Sequence, residues 1–176
     1  SLPTMPFLDS LAKKGVVIER AYATVPHTTK AMVAMHCGIY PQIKAGFYES
    51  TPGALPGDCL ARVLRRFGYA TAYFQSSESF FERQRDLVKQ YGFEDFFALE
   101  DLDAKGWDVI SYFGIEDKAM LKPTFAWLAK NRDRPFFLAY ITLISHHYYG
   151  LPKRWKVHQW SENSDENNYF NALRYT

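Results

Sequence analysis

The feature that most constrains the fold is the run Phe136-Phe137-Leu138-Ala139-Tyr140-Ile141, with Leu143 and Ile144 just beyond it. An almost unbroken apolar stretch of this length, rich in aromatic and β-branched residues, reads as a strand buried on both faces. Such strands belong to parallel sheets, which need covering layers on each side. The rest of the chain supplies them. Helical patterns at 6–15, 28–37, 58–67, 80–91 and 115–131 alternate with strand patterns at 16–22 and 69–74, and a further helix begins near 166. Gly15, Gly38, Gly68 and Gly92 stand where helices should stop. This alternation predicts an α/β fold with a mostly parallel sheet and helices on both faces. Asp58 is expected to cap its helix, and Pro123 to kink the helix it sits in.

In such a sheet, ligands bind beyond the carboxyl ends of the strands. Three polar segments follow strand patterns, at 24–29, 75–79 and 145–149, and they should meet at one edge. A long loop rich in Gly and Pro spans 42–57. One domain is expected from 176 residues, and 47% hydrophobic content excludes global disorder. A net charge of +2 gives no reason to expect nucleic acid. No apolar run nears the roughly 18 residues that span a bilayer. The chain opens Ser1-Leu2-Pro3-Thr4 without Met, as a processed or partial chain would. Cys37 and Cys59 could form one disulfide, but two cysteines make no framework, and they read as buried free thiols.

The chemistry-bearing residues lie in those polar segments. Pro26-His27-Thr28-Thr29-Lys30 places hydroxyls at a helix start, where free N–H groups and the dipole attract an anion. A hydroxyl there becomes a nucleophile when a metal lowers its pKa; otherwise it is a simple cap. Ser145-His146-His147 ends the apolar strand and offers imidazoles to an anionic ester. Phe80-Phe81-Glu82-Arg83 offers a guanidinium fork to phosphate or sulfate. The five histidines match no compact zinc spacing.

Taken together these segments resemble the sulfatase and phosphoglycerol-transferase superfamily, whose fold is related to alkaline phosphatase. Pro3-Thr4-Met5-Pro6-Phe7-Leu8-Asp9-Ser10-Leu11-Ala12-Lys13-Lys14-Gly15 is similar to that family's opening. Ala21-Tyr22-Ala23-Thr24-Val25-Pro26 is similar to its approach to the nucleophile, and Cys37-Gly38-Ile39-Tyr40-Pro41 to the end of the nucleophile helix. The family's spacing puts the nucleophile at Thr28, with Thr29 as the lesser choice. Thr28-Thr29-Lys30-Ala31-Met32 departs from the sulfatase signature that yields formylglycine. The nearer branch is therefore the lipoteichoic acid synthase-like transferases, which use Thr. Ser79-Phe80-Phe81-Glu82-Arg83 resembles that branch's glycerol-phosphate motif, with Phe81 where Trp is usual. Ser145-His146-His147-Tyr148-Tyr149 matches its substrate-binding His segment, with Tyr148 in place of Pro.

The resemblance implies a metal-dependent cleavage or transfer of a phosphate ester through Thr28. Thr28 would also touch a divalent metal, Mn²⁺, Mg²⁺ or Zn²⁺. Lys30, Phe81, Arg83, His146 and His147 would bind substrate. It further implies that residues 1–176 are the middle of one catalytic domain. The N-terminal strand with an acidic metal ligand and the later Asp-His pair would lie outside it, so this piece alone should bind metal weakly. Relatives act outside the cytoplasmic membrane, so a periplasmic or extracellular, membrane-tethered protein is expected. The substrate would be a small or lipid-linked phosphate ester. Sulfate esters and a non-catalytic anion-binding module are the alternatives. A sheet edge left free invites self-association.

Overall fold

The computed structural model describes residues 4–44 and 46–176. Pro3 of the opening motif and Ala45 of the long loop lie outside them. Three parallel strands form the main sheet: β1 (Ala70–Gln75), β2 (Asp95–Phe97) and β5 (Phe136–Ile141), in the order β2-β1-β5. Ala70 pairs with Phe136 and Gln75 with Ile141, so β1 and β5 end level with each other. A short antiparallel pair, β3 (Val109–Ser111) and β4 (Gly114–Ile115), extends beyond this sheet. Gly114 is required there, because a Cβ would collide with the Ser76 carbonyl oxygen.

Side-chain alternation along β1 sends its two faces to different cores. Tyr73 packs with Met32, Val33, Ala61, Leu87, Val88 and Tyr91. These come from α2 (Thr28–Cys37), α3 (Leu60–Arg66) and α4 (Gln84–Tyr91), which cover one face. Ala70, Ala72 and Phe74 pack with Met120 and Trp127 on the other face, which is covered by α5 (Leu121–Lys130). The expected layering of helices on both faces is therefore present. α1 (Pro6–Ala12) precedes these elements, and α6 (Ser164–Tyr175) closes a third cluster with Ile110, Phe113, Leu143 and Ile144.

Five expectations need correction. Residues 16–22 form no strand; they run as exposed chain, with Val16 95% exposed. They pair with no strand among the described residues, so their periodicity alone made no ladder. β5 is half-buried and forms one edge of the sheet, with β2 at the other, whereas β1 between them is buried throughout. Asp58 does not cap α3; Cys59 is the N-cap, and Asp58 pairs with Arg66 at 2.6 Å. Pro123 falls in the first turn of α5, where a missing N–H costs nothing, so it starts the helix without a kink. Finally, Cys37 and Cys59 are joined as a disulfide. It ties the end of α2 to the start of α3 across 22 residues, a separation worth about 3 kcal/mol by loop entropy.

His36 is the main pH-sensitive group of this core. Its ring lies 4.8 Å from Tyr91 and 5.5 Å from Phe93, and its Nε2 has no hydrogen-bond partner. Burial lowers its pKa from 6.5 to about 4. Between those values the unfolded chain binds a proton that the folded chain refuses. Stability should therefore be full above about pH 6.5 and fall as pH drops toward about 4, by roughly 3 kcal/mol in all. His36→Phe keeps the aromatic packing and should flatten this part of the profile in urea unfolding at pH 7 and pH 4.5. An unchanged slope in the variant would assign the acid sensitivity elsewhere.

Candidate active site

The three polar segments meet, although the first of them follows no strand. A cavity of about 300 Å³ opens at the carboxyl ends of β1 and β5, lined by Thr28, Met32, Gln75, Glu82, Phe113 and His146, with Phe81 and Gln84 beside them. Thr28 is the first residue of α2, and His27 is its N-cap. No side chain caps that end, so backbone N–H groups of the first turn stay available. Thr28 is exposed at the cavity, whereas Thr29 is buried and donates its hydroxyl hydrogen to Glu82 Oε2. Of the two threonines, only Thr28 offers a free hydroxyl to the cavity.

Glu82 was not among the residues singled out in the sequence. The helix expected over 80–91 breaks here into a 3-10 turn, Phe81–Arg83, followed by α4. Glu82 and Arg83 both hold positive φ, 49° and 56°. Two consecutive left-handed residues with side chains cost about 1–3 kcal/mol each, and such strain clusters at working sites. The turn brings Glu82 Oε1 to 3.3 Å from His27 Nε2. Tyr148 and Tyr149, just past the His pair, hold positive φ as well, at 64° and 48°.

The strand ends are pinned by another residue that sequence reading missed. Asp117 accepts hydrogen bonds from Ser76 Oγ at 2.6 Å and from the backbone N–H groups of Leu143 and Ile144 at 2.8 and 3.0 Å. One buried carboxylate thus joins the ends of β1 and β5 just before His146. Burial pushes the Asp117 carboxyl above the usual carboxylate range, against these hydrogen bonds. No motif spacing marks it; only the register of β1 against β5 does.

The expected site residues divide. Thr28, Phe81 and His146 line the cavity. Burial lowers the pKa of His146, which favours the neutral ring. His147 lies beside it, ring centroids 4.2 Å apart, but is turned to solvent and does not line the cavity. Arg83 points away and pairs with Asp86 at 2.8 Å. Lys30 is buried, and its ammonium sits 2.6 Å from Glu49 Oε2. Among the described residues, no group of three or more His, Cys, Asp or Glu side chains is arranged to hold a metal ion. Their donor set therefore does not fit a divalent metal.

Comparison with known proteins places this geometry. Several solved structures share the fold. The lipoteichoic acid synthase LtaP from Listeria monocytogenes superposes with a TM-score of 0.84 at 21% identity, over 98% of this chain and 43% of its own. A protein of the alkaline phosphatase superfamily from Vibrio parahaemolyticus gives 0.79 at 23% identity, over 99% and 43%. The C-terminal periplasmic domain of EcEptC from Escherichia coli gives 0.63 at 18% identity, over 98% and 48%. The chain thus spans less than half the length of each. The sulfatase family model matches residues 1–176, the whole sequence. With that match over a parallel α/β sheet whose strand ends carry the cavity, the chain belongs to the sulfatase family.

Proposed function

We propose that the full-length protein cleaves a phosphate ester and passes the phosphoryl-bearing group to an alcohol or water through Thr28. The observation that carries this reading is the free Thr28 hydroxyl at the uncapped N-terminus of α2, on the wall of the cavity. Thr28 Oγ1 gives up its proton and bonds to phosphorus while the bond from phosphorus to the ester oxygen breaks, and that oxygen takes up a proton. The acceptor's oxygen then loses its proton and bonds to phosphorus as the Oγ1–phosphorus bond breaks, and Thr28 takes up a proton to regain its hydroxyl. The backbone N–H groups of the first α2 turn face charge developing on the phosphoryl oxygens. Neutral His146 donates a further hydrogen bond, and Phe81 supplies an apolar wall. The Arg83–Asp86 pair is half-exposed and weak, so a phosphate oxygen can take the guanidinium at little cost. His147 is available at the mouth in the same way, while Lys30 stays with Glu49.

The likeness to LtaP, a lipoteichoic acid synthase, supports transfer over simple hydrolysis. A divalent metal, Mn²⁺, Mg²⁺ or Zn²⁺, touching Thr28 belongs to this reading with ligands the described residues do not provide. The Cys37–Cys59 disulfide supports an oxidising compartment, periplasmic or extracellular. The EcEptC domain that shares the fold is periplasmic, which supports the same placement. No helix among the described residues is long and apolar enough to cross a membrane. The free edge of β5 is the place for pairing with a further strand or a second copy.

The test is a substrate panel on the full-length protein with added Mn²⁺: a p-nitrophenyl phosphodiester, p-nitrophenyl phosphate and p-nitrophenyl sulfate. Phosphodiester turnover should exceed sulfate turnover by at least about a hundredfold, because no residue of the nucleophile segment yields formylglycine. Turnover of sulfate alone would overturn the reading.

A further inference from the structure

β1 and β5 run out of ladder together, at Gln75 and Ile141. Beyond that point both chains continue along the cavity, through Ser77 on one side and through Thr142, Leu143 and His146 on the other. A buried backbone N–H needs an acceptor, and these have left the sheet that supplied one. Leu143 and Ile144, 7% and 1% exposed, find theirs in Asp117. Its Oδ1 accepts from Leu143 at 2.8 Å and its Oδ2 from Ile144 at 3.0 Å. Oδ1 also takes the Ser76 hydroxyl at 2.6 Å, from the β1 side. One buried carboxylate thus sets the separation of the two lips of the cavity.

The link to His146 is one peptide long. Leu143 gives its N–H to Asp117, and its carbonyl accepts the N–H of His146 at 2.8 Å. The His146 carbonyl in turn accepts from Tyr149 at 2.9 Å. Residues 143–149 are therefore two consecutive turns, and the first hangs from Asp117. Tyr148 and Tyr149, with φ of 64° and 48°, hold a conformation that persists only where the surroundings enforce it.

The mount itself is well anchored. Asp117 opens the 3-10 turn Asp117–Met120. Glu116 before it is fully buried, and its carboxylate takes Arg154, the Tyr175 hydroxyl and the Asp108 N–H. Just upstream, Ile115 donates its N–H to the Ser76 carbonyl at 3.2 Å, and the Phe113 carbonyl accepts from Glu78 at 3.0 Å. The Phe113 ring stands edge-on to the His146 ring at 4.9 Å. The 113–117 segment therefore holds His146 twice, by its backbone through Asp117 and by its ring through Phe113.

We propose that Asp117 is a positioning residue: by bonding Ser76, Leu143 and Ile144 together it holds the His146 ring in place across the cavity from Thr28. This inference rests on the reading of Thr28 and His146 as nucleophile and ester-binding group.

The test is a double-mutant cycle on the full-length protein, read in kcat/KM for a p-nitrophenyl phosphodiester with added Mn²⁺. Asp117→Asn puts an amide N–H where the backbone donors need an acceptor. Turnover should fall by about ten- to a hundredfold, the scale of a misplaced binding group. Introduced into His146→Ala, the same change should cost less than about twofold, because the group it positions is gone. Ser76→Ala is the milder variant, which keeps the carboxylate and its bonds to Leu143 and Ile144. It should cost about fivefold, again only while His146 is present. Losses of equal size with and without the imidazole would make Asp117 a general support of the fold and overturn the proposal. A second readout needs no turnover: the ring NMR signals of His146 in histidine-labelled protein. They should shift in Asp117→Asn and in Ser76→Ala, while those of His36 and His158 stay in place. Unmoved His146 signals, or an equal shift of all three, would likewise overturn the proposal. A wild-type protein that turns over no phosphodiester yet shows the selective His146 shift would keep Asp117 in this role and sink the phosphate reading instead.

Discussion

Thr28→Ala should abolish phosphodiester turnover by the full-length protein, by on the order of 10⁴-fold or more, while leaving its melting temperature within about a degree. The loss is large because no other free hydroxyl at the α2 terminus stands ready to replace a missing nucleophile. The fold should not notice. Thr28 is the first helical residue and not the cap, its side chain is exposed, and Ala is the better helix former. Thr29→Ala should behave in the opposite way. Its hydroxyl is buried against Glu82, so its removal takes a hydrogen bond from a carboxylate and should cost about 1.5–3 kcal/mol of stability. Turnover should fall only as far as Glu82 is displaced. If Thr29→Ala abolished turnover while Thr28→Ala spared it, the nucleophile would be Thr29 and the spacing argument would fail. A phosphorylated Thr28 trapped by acid quench and found by mass spectrometry would support the covalent step independently.

What the sequence made legible follows from the kind of physics each feature uses. β1, β5 and the helices over 28–37 and 121–130 announce themselves through local periodicity and glycine or proline punctuation. The convergence of Gln75 and His146 followed from one rule about parallel sheets, once the strands were placed; Thr28 joins them through the packing of α2 against β1, since no strand precedes it. Non-local contacts were hidden. Nothing in the spacing of Cys37 and Cys59 says that α2 and α3 meet end to start, which is what makes the disulfide. Asp117 bonds residues 41, 26 and 27 positions away, and only the β1–β5 register brings them to it. Glu82 was hidden for another reason. The pattern Phe80, Phe81, Leu87, Val88, Tyr91 is helical, and it conceals the positive-φ turn that aims the carboxylate at His27 and Thr29. Strain of that kind is a departure from local preference, so a reading built on local preference passes over it.

Lys30 shows why residue type and position do not by themselves assign a role, and its replacement should have the second large effect. Two residues after Thr28, it resembles a ligand for the ester. In the fold its ammonium and the Glu49 carboxylate are both buried and lie 2.6 Å apart. Glu49 also accepts the backbone N–H of Gln42 at 2.9 Å. Burial alone would raise the Glu49 carboxyl, but the hydrogen bonds from Lys30 and from the backbone of Glu49 and Gln42 outweigh it and hold it below its ordinary value. The pair fastens Glu49, and through it Gln42, to the first turn of α2, and so to Thr28. Lys30→Met would leave a buried carboxylate without its counter-ion, which typically costs 3–5 kcal/mol, or on the order of 10 °C in melting temperature. Lys30→Met with Glu49→Leu removes both charges, and an apolar pair of similar volume should recover most of that loss. Turnover should return together with stability in the double variant, because the lysine acts by holding the helix start. A double variant that melts like wild type yet stays inactive would give Lys30 direct contact with the ester. In that case the Lys30–Glu49 pair would have to open on substrate binding, at the cost of exposing or reprotonating Glu49.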